Sequence, residues 1–214
     1  MERPIIFSGP MVRAILDGRK SQTRRVLRPQ PVQDYGEGGP EGLWWRDLYG
    51  APPELIPGCP YGTPGDRLWC REGFALDDEQ CEPSHEVIIY RADGQVRLYD
   101  PPGCSGVPMG GPPRLGQVMP LRIAKDAPGL RWRPSIHMPR WASRLTLEVT
   151  GVRVERVQEI SLEDIYAEGL EPGPYGAAND VVRFGDLWDS INERRGAGWE
   201  VNPWVWVVEF RRVS

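Results

Sequence analysis

The alternation of apolar and polar positions predicts a chain built mostly from short strands, with a few amphipathic helices between them. Pro4-Ile5-Ile6-Phe7 reads as a first strand. Ser8 then stands as an N-cap, Pro10 as an early helical residue, and Met11, Val12, Ile15 and Leu16 as an apolar stripe at helical spacing. Gly18 supplies the stop, and a strand is expected from Thr23 to Arg28. In Arg67-Leu68-Trp69-Cys70-Arg71-Glu72 the alternation puts Leu68 and Cys70 on one face and Arg67, Trp69 and Arg71 on the other. Glu86–Tyr90 and Gln95–Tyr99 flank Ala92-Asp93-Gly94 as a hairpin. Leu145, Leu147 and Val149, then Val152, Val154 and Val157, read as a strand pair around Thr150-Gly151. Ser161-Leu162-Glu163-Asp164 has the form of a capping box and opens a short helix that closes at Ala167-Glu168-Gly169-Leu170. A second helix is expected over 181–192, with Phe184, Leu187, Trp188 and Ile191 on its apolar face. Pro203–Phe210 is a nearly continuous apolar run, the pattern of a central strand.

Two stretches break this pattern. Residues 31–65 carry fifteen Pro or Gly and residues 101–134 carry fourteen, too many for regular core elements, so insertions are expected at about 31–60 and 101–135. The first includes a Trp44-Trp45 pair. The expectation is a single α+β domain over residues 1–214, mainly β, with a small barrel-like core and short helices at its rim.

Composition narrows the classes. The four cysteines, Cys59, Cys70, Cys81 and Cys104, are too far apart for Cys-x-x-Cys pairs, and only His85 and His137 could join them. Reduced thiols and no metal are therefore expected, with no cofactor. The N-terminus has no apolar signal region and no run reaches membrane-spanning length, so the reading is a cytoplasmic protein without a membrane partner. The net charge of −4 argues against indiscriminate binding to nucleic acid. Its distribution matters more: the first thirty residues hold seven Arg or Lys against two acidic residues. A basic segment on an acidic body suits a single nucleotide or a short single-stranded segment better than a long duplex.

The sharpest local signal is Gly18-Arg19-Lys20-Ser21-Gln22-Thr23-Arg24-Arg25. Only two of the 26 basic residues are lysines, Lys20 and Lys125, so arginine serves almost everywhere that charge suffices. A lysine can lose its proton and act as a base, which arginine cannot, and neighbouring guanidiniums favour that loss. Thr23, three residues on, offers a hydroxyl. A turn over 20–23 brings the two side chains to one side, whereas an extended strand does not.

Three features now stand in order: Gly-Arg-Lys-x-x-Thr after a helix, Pro64-Gly65-Asp66-x-Leu68-x-x-Arg71-Glu72 opening a strand, and Ala167-Glu168-Gly169-Leu170 ending a capped helix. Together they resemble the ASCH domain, a compact β-barrel related to the PUA RNA-binding fold. The larger phage- and prophage-encoded members, often labelled morphogenetic proteins, are the nearest in form. The likeness covers residues 1–28, 61–73 and roughly 137–212. Small bacterial members are similar to an amidohydrolase that removes the acetyl group from N4-acetylcytidine. On the matching positions the resemblance implies Lys20 as proton acceptor, Thr23 as nucleophile and Glu168 as proton donor. Ser21 stands where many members have threonine, and the chain is about twice the length of the small members.

Arg19, Arg25, Arg67, Trp69, Arg71, Arg140 and Trp141 are the candidate substrate-binding residues. Aromatics would stack a base and guanidiniums would hold a phosphate or carbonyl edge. The partner expected is a modified nucleoside or single-stranded RNA. Three functions follow: an amidohydrolase for N4-acylated cytidine, a non-catalytic PUA-like reader of RNA or modified bases, and a ribonuclease. The last lacks a suggestively spaced histidine pair.

Overall fold

The computed structural model describes residues 1–30, 58–77, 86–100, 114–122 and 130–213. Most of the two expected insertions, with Trp44 and Trp45, lies outside the described residues, as do Cys81, His85, Cys104 and Lys125. The fold is mixed α+β with more strand than helix: among the described residues nine strands lie in a five-stranded and a four-stranded sheet, and neither closes into a barrel. The chain divides into two compact units.

The first unit comprises 1–18, 67–147 and 212–214. Strand β1 (Glu2–Ile6) pairs in parallel with β3 (Arg67–Arg71), and helix α1 (Gly9–Leu16) follows β1 directly. Gly18, at φ 75°, turns the chain out of α1 in the left-handed conformation that only glycine adopts freely. The predicted hairpin is present: β5 (Glu86–Tyr90) and β6 (Gln95–Asp100) pair antiparallel. Asp93 accepts the Gln95 N–H at 3.0 Å to fix the turn.

Two further strands escape the sequence pattern, β4 (Phe74–Asp77) and β7 (Arg114–Arg122). They lie at the two edges of the sheet β4-β5-β6-β7. Strand β7 falls in a stretch dismissed for its Gly and Pro content. An edge position explains the tolerance, because Pro120 lacks an N–H but an edge strand uses only half of its backbone groups in the ladder. Phe74, Ile88, Tyr90, Tyr99, Met138 and Ala142 form a buried cluster here, and the Tyr90 hydroxyl donates to the Ala142 carbonyl at 3.0 Å.

The second unit comprises 19–66 and 148–211. Its strand order is β8 (Thr146–Arg156, begun in the first unit), β9 (Trp204–Arg212) and β2 (Gln22–Val26), so the apolar run is central as its pattern predicts. The predicted strand pair around Thr150-Gly151 is instead the single strand β8. Gly151 stays in extended backbone, and a Cβ there would stand 2.6 Å from Glu209 Oε2, so glycine here makes room for a side chain and not for a turn.

Helices α2 (Leu162–Ala167) and α3 (Ala177–Asn192) pack on this sheet through Val157, Ile160, Ile165, Phe184, Trp188, Val205 and Val207. On α3 the buried set is Asp180, Phe184, Gly185, Trp188 and Asn192, while Leu187 and Ile191 are exposed, so the inward face is rotated from the one expected. Asp180 draws the helix round: its carboxylate is buried and accepts from Tyr166, Gly173 N–H and Arg183. Among the described residues no helix is long and apolar enough to cross a membrane.

Candidate functional site

The site is built at the C-terminal end of α2. The Ser161 hydroxyl accepts the Asp164 N–H at 3.1 Å and starts the helix. Its other end is a Schellman motif: Gly169 N–H bonds Tyr166 C=O at 2.8 Å, and Leu170 N–H reaches Ile165 C=O at 3.4 Å. Gly169 takes φ 94°, and Leu170 and Ile165 share the unit's core. The sequence Ala-Glu-Gly-Leu therefore fixes Glu168 as the C-cap residue.

The last carbonyls of such a helix lack partners within it. Residues 19–22 bring donors to this end from outside, the Asp164 carbonyl also keeping the Glu168 N–H at 2.8 Å. Ser21 N–H donates to Ala167 C=O at 2.8 Å, Lys20 Nζ to Glu168 C=O at 2.8 Å, Arg19 Nη1 to Gly169 C=O at 3.1 Å and Gln22 Nε2 to Asp164 C=O at 3.1 Å. Cations at a helix C-terminus are also favoured by the helix dipole.

Lys20 makes a second contact, from Nζ to Glu168 Oε2 at 2.7 Å, with side-chain exposures of 0% and 8%. Burial holds the Lys20 amine below its ordinary range. The Arg25 and Arg24 charges push the same way, while Glu168 pulls against them. The pair continues into an ionic chain. Arg24 Nη1 reaches Glu168 Oε1 at 3.4 Å, and its Nη2 bonds Asp164 Oδ2 at 2.8 Å and Glu155 Oε1. Arg153 then binds Glu155 at 3.0 Å, Asp164 at 2.8 Å and Glu209.

Thr23 does not join this group. Ser21 is bonded on both sides, its N–H to Ala167 and its C=O to Phe210 N–H, so the backbone over 20–23 is extended and makes no turn. The pleat then sends Lys20, Gln22, Arg24 and Val26 to the α2 side and Thr23 and Arg25 to the other. The register with β9 agrees. Val205, Val207 and Glu209 lie opposite Val26, Arg24 and Gln22, whereas Thr23 and Arg25 face Val208 and Trp206. Thr23 is buried on that second face, and Arg25 lies 6.0 Å from the Tyr61 ring centroid. The structure thus brings Lys20 and Glu168 together and turns Thr23 away.

Of the other expected binding residues, Arg19 is half-exposed and pairs with Glu171 at 3.5 Å. The rest belong to the first unit. Arg67 is exposed, and Trp69 is buried, with the Arg71 guanidinium 4.8 Å and the Arg140 guanidinium 6.0 Å from its ring. Arg140 is itself held by both oxygens of Glu2, at 2.9 and 2.7 Å. Trp69 is therefore stacked by its own chain's cations. Trp141 is partly buried and packs against the Phe74–Tyr90 cluster, 5.0 Å from Tyr99 between ring centroids.

Sequence reasoning missed Arg24, Asp164, Glu155 and Arg153. The one available signal was Asp164, four residues before Glu168 and so on the same face of α2. Among the described residues no cluster of three or more His, Cys, Asp or Glu is arranged to hold a metal ion. No family model matches the chain, and no curated protein or solved structure matches it.

Asp164 gives a prediction about acid. Burial pushes its carboxyl up, but the hydrogen bond and charge of Arg24, with Arg153, more than offset this and hold it below the ordinary aspartate value. Its stabilising contribution is complete above the ordinary value and is lost as pH falls toward the lower native one. Urea midpoints of wild type should fall across that acid window, and those of Asp164→Asn should fall less. Parallel curves for the two proteins would contradict this.

Proposed function

We propose that this chain is an ASCH-like protein that hydrolyses an N-acyl group from a modified pyrimidine nucleoside, with Lys20 and Glu168 as the proton-transfer pair. The observation that carries the reading is the buried 2.7 Å contact between Lys20 Nζ and Glu168 Oε2. Amide hydrolysis needs a base for the incoming oxygen and an acid for the departing amine. Moving the one shared proton from Lys20 to Glu168 creates both at once, a neutral amine and a carboxylic acid. Burial favours the neutral amine of Lys20.

Attack is assigned to water, because the pleat of β2 turns the Thr23 hydroxyl to the opposite face. Lys20 takes a proton from the water as its oxygen bonds to the acyl carbon. The C–N bond then breaks as Glu168 protonates the amine, leaving a carboxylic acid and the free base. The relation to the PUA-like barrel and a cytoplasmic setting belong to the same reading and rest on the sequence motifs alone.

Acetate release from N4-acetylcytidine tests it. Wild type should turn over, Lys20→Arg should lose about 10²-fold or more, and Thr23→Ala should keep most of its activity. Absence of turnover in wild type, or full turnover by Lys20→Arg, defeats the hydrolase. A second reading, a non-catalytic reader of modified bases or RNA, is favoured by the complete burial of the Lys20 side chain, which serves a structural fastener equally well. In that case binding persists without turnover, weakens with salt, and tolerates Lys20→Arg.

A further inference from the structure

Glu168 ends a two-turn helix, where a long carboxylate side chain has several rotamers to choose from. A hydrogen bond from Lys20 to Oε2 alone leaves the carboxylate free to swing about that one contact. The second oxygen is met by Arg24, whose side chain is 1% exposed and enters from two strand positions beyond Gln22. Arg24 is fixed in turn by Asp164, one turn back on α2, and by Glu155 on β8. Its guanidinium thus contacts three carboxylates on two elements, and its rigid planar fork is the group suited to doing so.

We propose that Arg24 is the positioning residue of the Lys20–Glu168 pair: it holds Oε1 of Glu168 so that Oε2 is presented to Lys20 Nζ. Its catalytic meaning rests on the hydrolase reading, but the positioning itself does not. Arg24 touches no substrate in this scheme and acts through Glu168.

The charged groups around the pair are Glu168 and Asp164 from α2, Arg24 and Arg25 from β2, Glu155 and Arg153 from β8, and Glu209 from β9. Removing Arg24 has two effects of opposite sign on Lys20. The loss of a neighbouring positive charge strengthens the hold of Lys20 on its proton, whereas a Glu168 carboxylate free to leave Nζ weakens it. In Arg24→Lys the charge is kept and only the second effect remains.

The chain's two lysines make this directly measurable. In the 214-residue chain carrying Lys125→Arg and labelled with [13Cε]lysine, a single side-chain resonance reports the titration of Lys20. Arg24→Lys, which keeps the charge but not the fork, should lower its midpoint by about one unit, with tryptophan indole signals showing a folded protein. Arg24→Gln, which loses the charge as well, should titrate above Arg24→Lys. With N4-acetylcytidine, both variants should lose at least tenfold in kcat with KM little changed.

A folded Arg24→Lys protein whose Lys20 midpoint equals or exceeds that of wild type overturns the proposal. Wild-type kcat in Arg24→Gln also overturns it, and decides the matter if Arg24→Lys does not fold. Failure of wild type to release acetate sinks the hydrolase reading only, since the titration of Lys20 is read without substrate.

Discussion

Replacing Lys20 with methionine is expected to destabilise the protein by about 3–5 kcal/mol. Methionine fills a similar volume but donates no hydrogen bond. Glu168 would keep only its 3.4 Å contact to Arg24, and its own carbonyl at the end of α2 would lose the Lys20 donor. The double variant Lys20→Met/Glu168→Leu removes both charges and should recover a large part of the loss. Arg24 would retain Asp164 and Glu155 as partners. Urea denaturation of the wild type, the two single variants and the double variant gives the coupling directly. Additive losses, with the double variant as unstable as the two singles combined, would show that the contact contributes little.

An effect of similar size is expected in the first unit at Arg144. Its Nε and Nη2 bond both oxygens of Glu72 at 2.8 and 3.0 Å. Its Nη1 bonds Asp93 and Gln95 at 2.9 and 2.8 Å, and its guanidinium lies 4.1 Å from the Tyr90 ring centroid. Glu72 is 2% exposed, and burial pushes its carboxyl up even against the pull of Arg144. Arg144→Ala would leave that carboxylate buried without its cation, at a cost of about 3–5 kcal/mol.

The sign of the pH dependence follows. Without Arg144 the folded state prefers protonated Glu72 more strongly than the unfolded chain does. The variant should therefore be less impaired at pH 5 than at pH 8. Arg144→Lys should recover only part of the loss, since an ammonium cannot bond Glu72 with two parallel donors while also serving Asp93. Urea midpoints at the two pH values test this, and equal penalties at both would mean that Glu72 is not what the arginine stabilises.

Much of the local architecture was legible in the sequence because its causes are local. Ser161 caps α2, Gly169 closes it, Gly18 stops α1 and Asp93-Gly94 turns the hairpin, each through contacts within a few residues. The strands seen in advance were those with clean alternation or an unbroken apolar run. Strand β7 was hidden because its Gly and Pro obscure the pattern, and β8 was split in two because Gly151 looks like a turn until the side chain filling its space is known.

The sequence by itself determined that one lysine stands apart in an arginine-rich chain, and that a glutamate is fixed at a helix end by the glycine after it. Which groups meet was decided only by the tertiary structure. Arg24 finds its carboxylates more than 130 residues away along the chain, and no spacing rule reaches that far. The face taken by Thr23 depends on Ser21 being bonded between Ala167 and Phe210, which makes the segment extended and separates positions 20 and 23. The packing of Trp141 on Tyr99 is likewise tertiary: an aromatic beside an arginine reads alike in sequence whether or not it leans on a buried cluster.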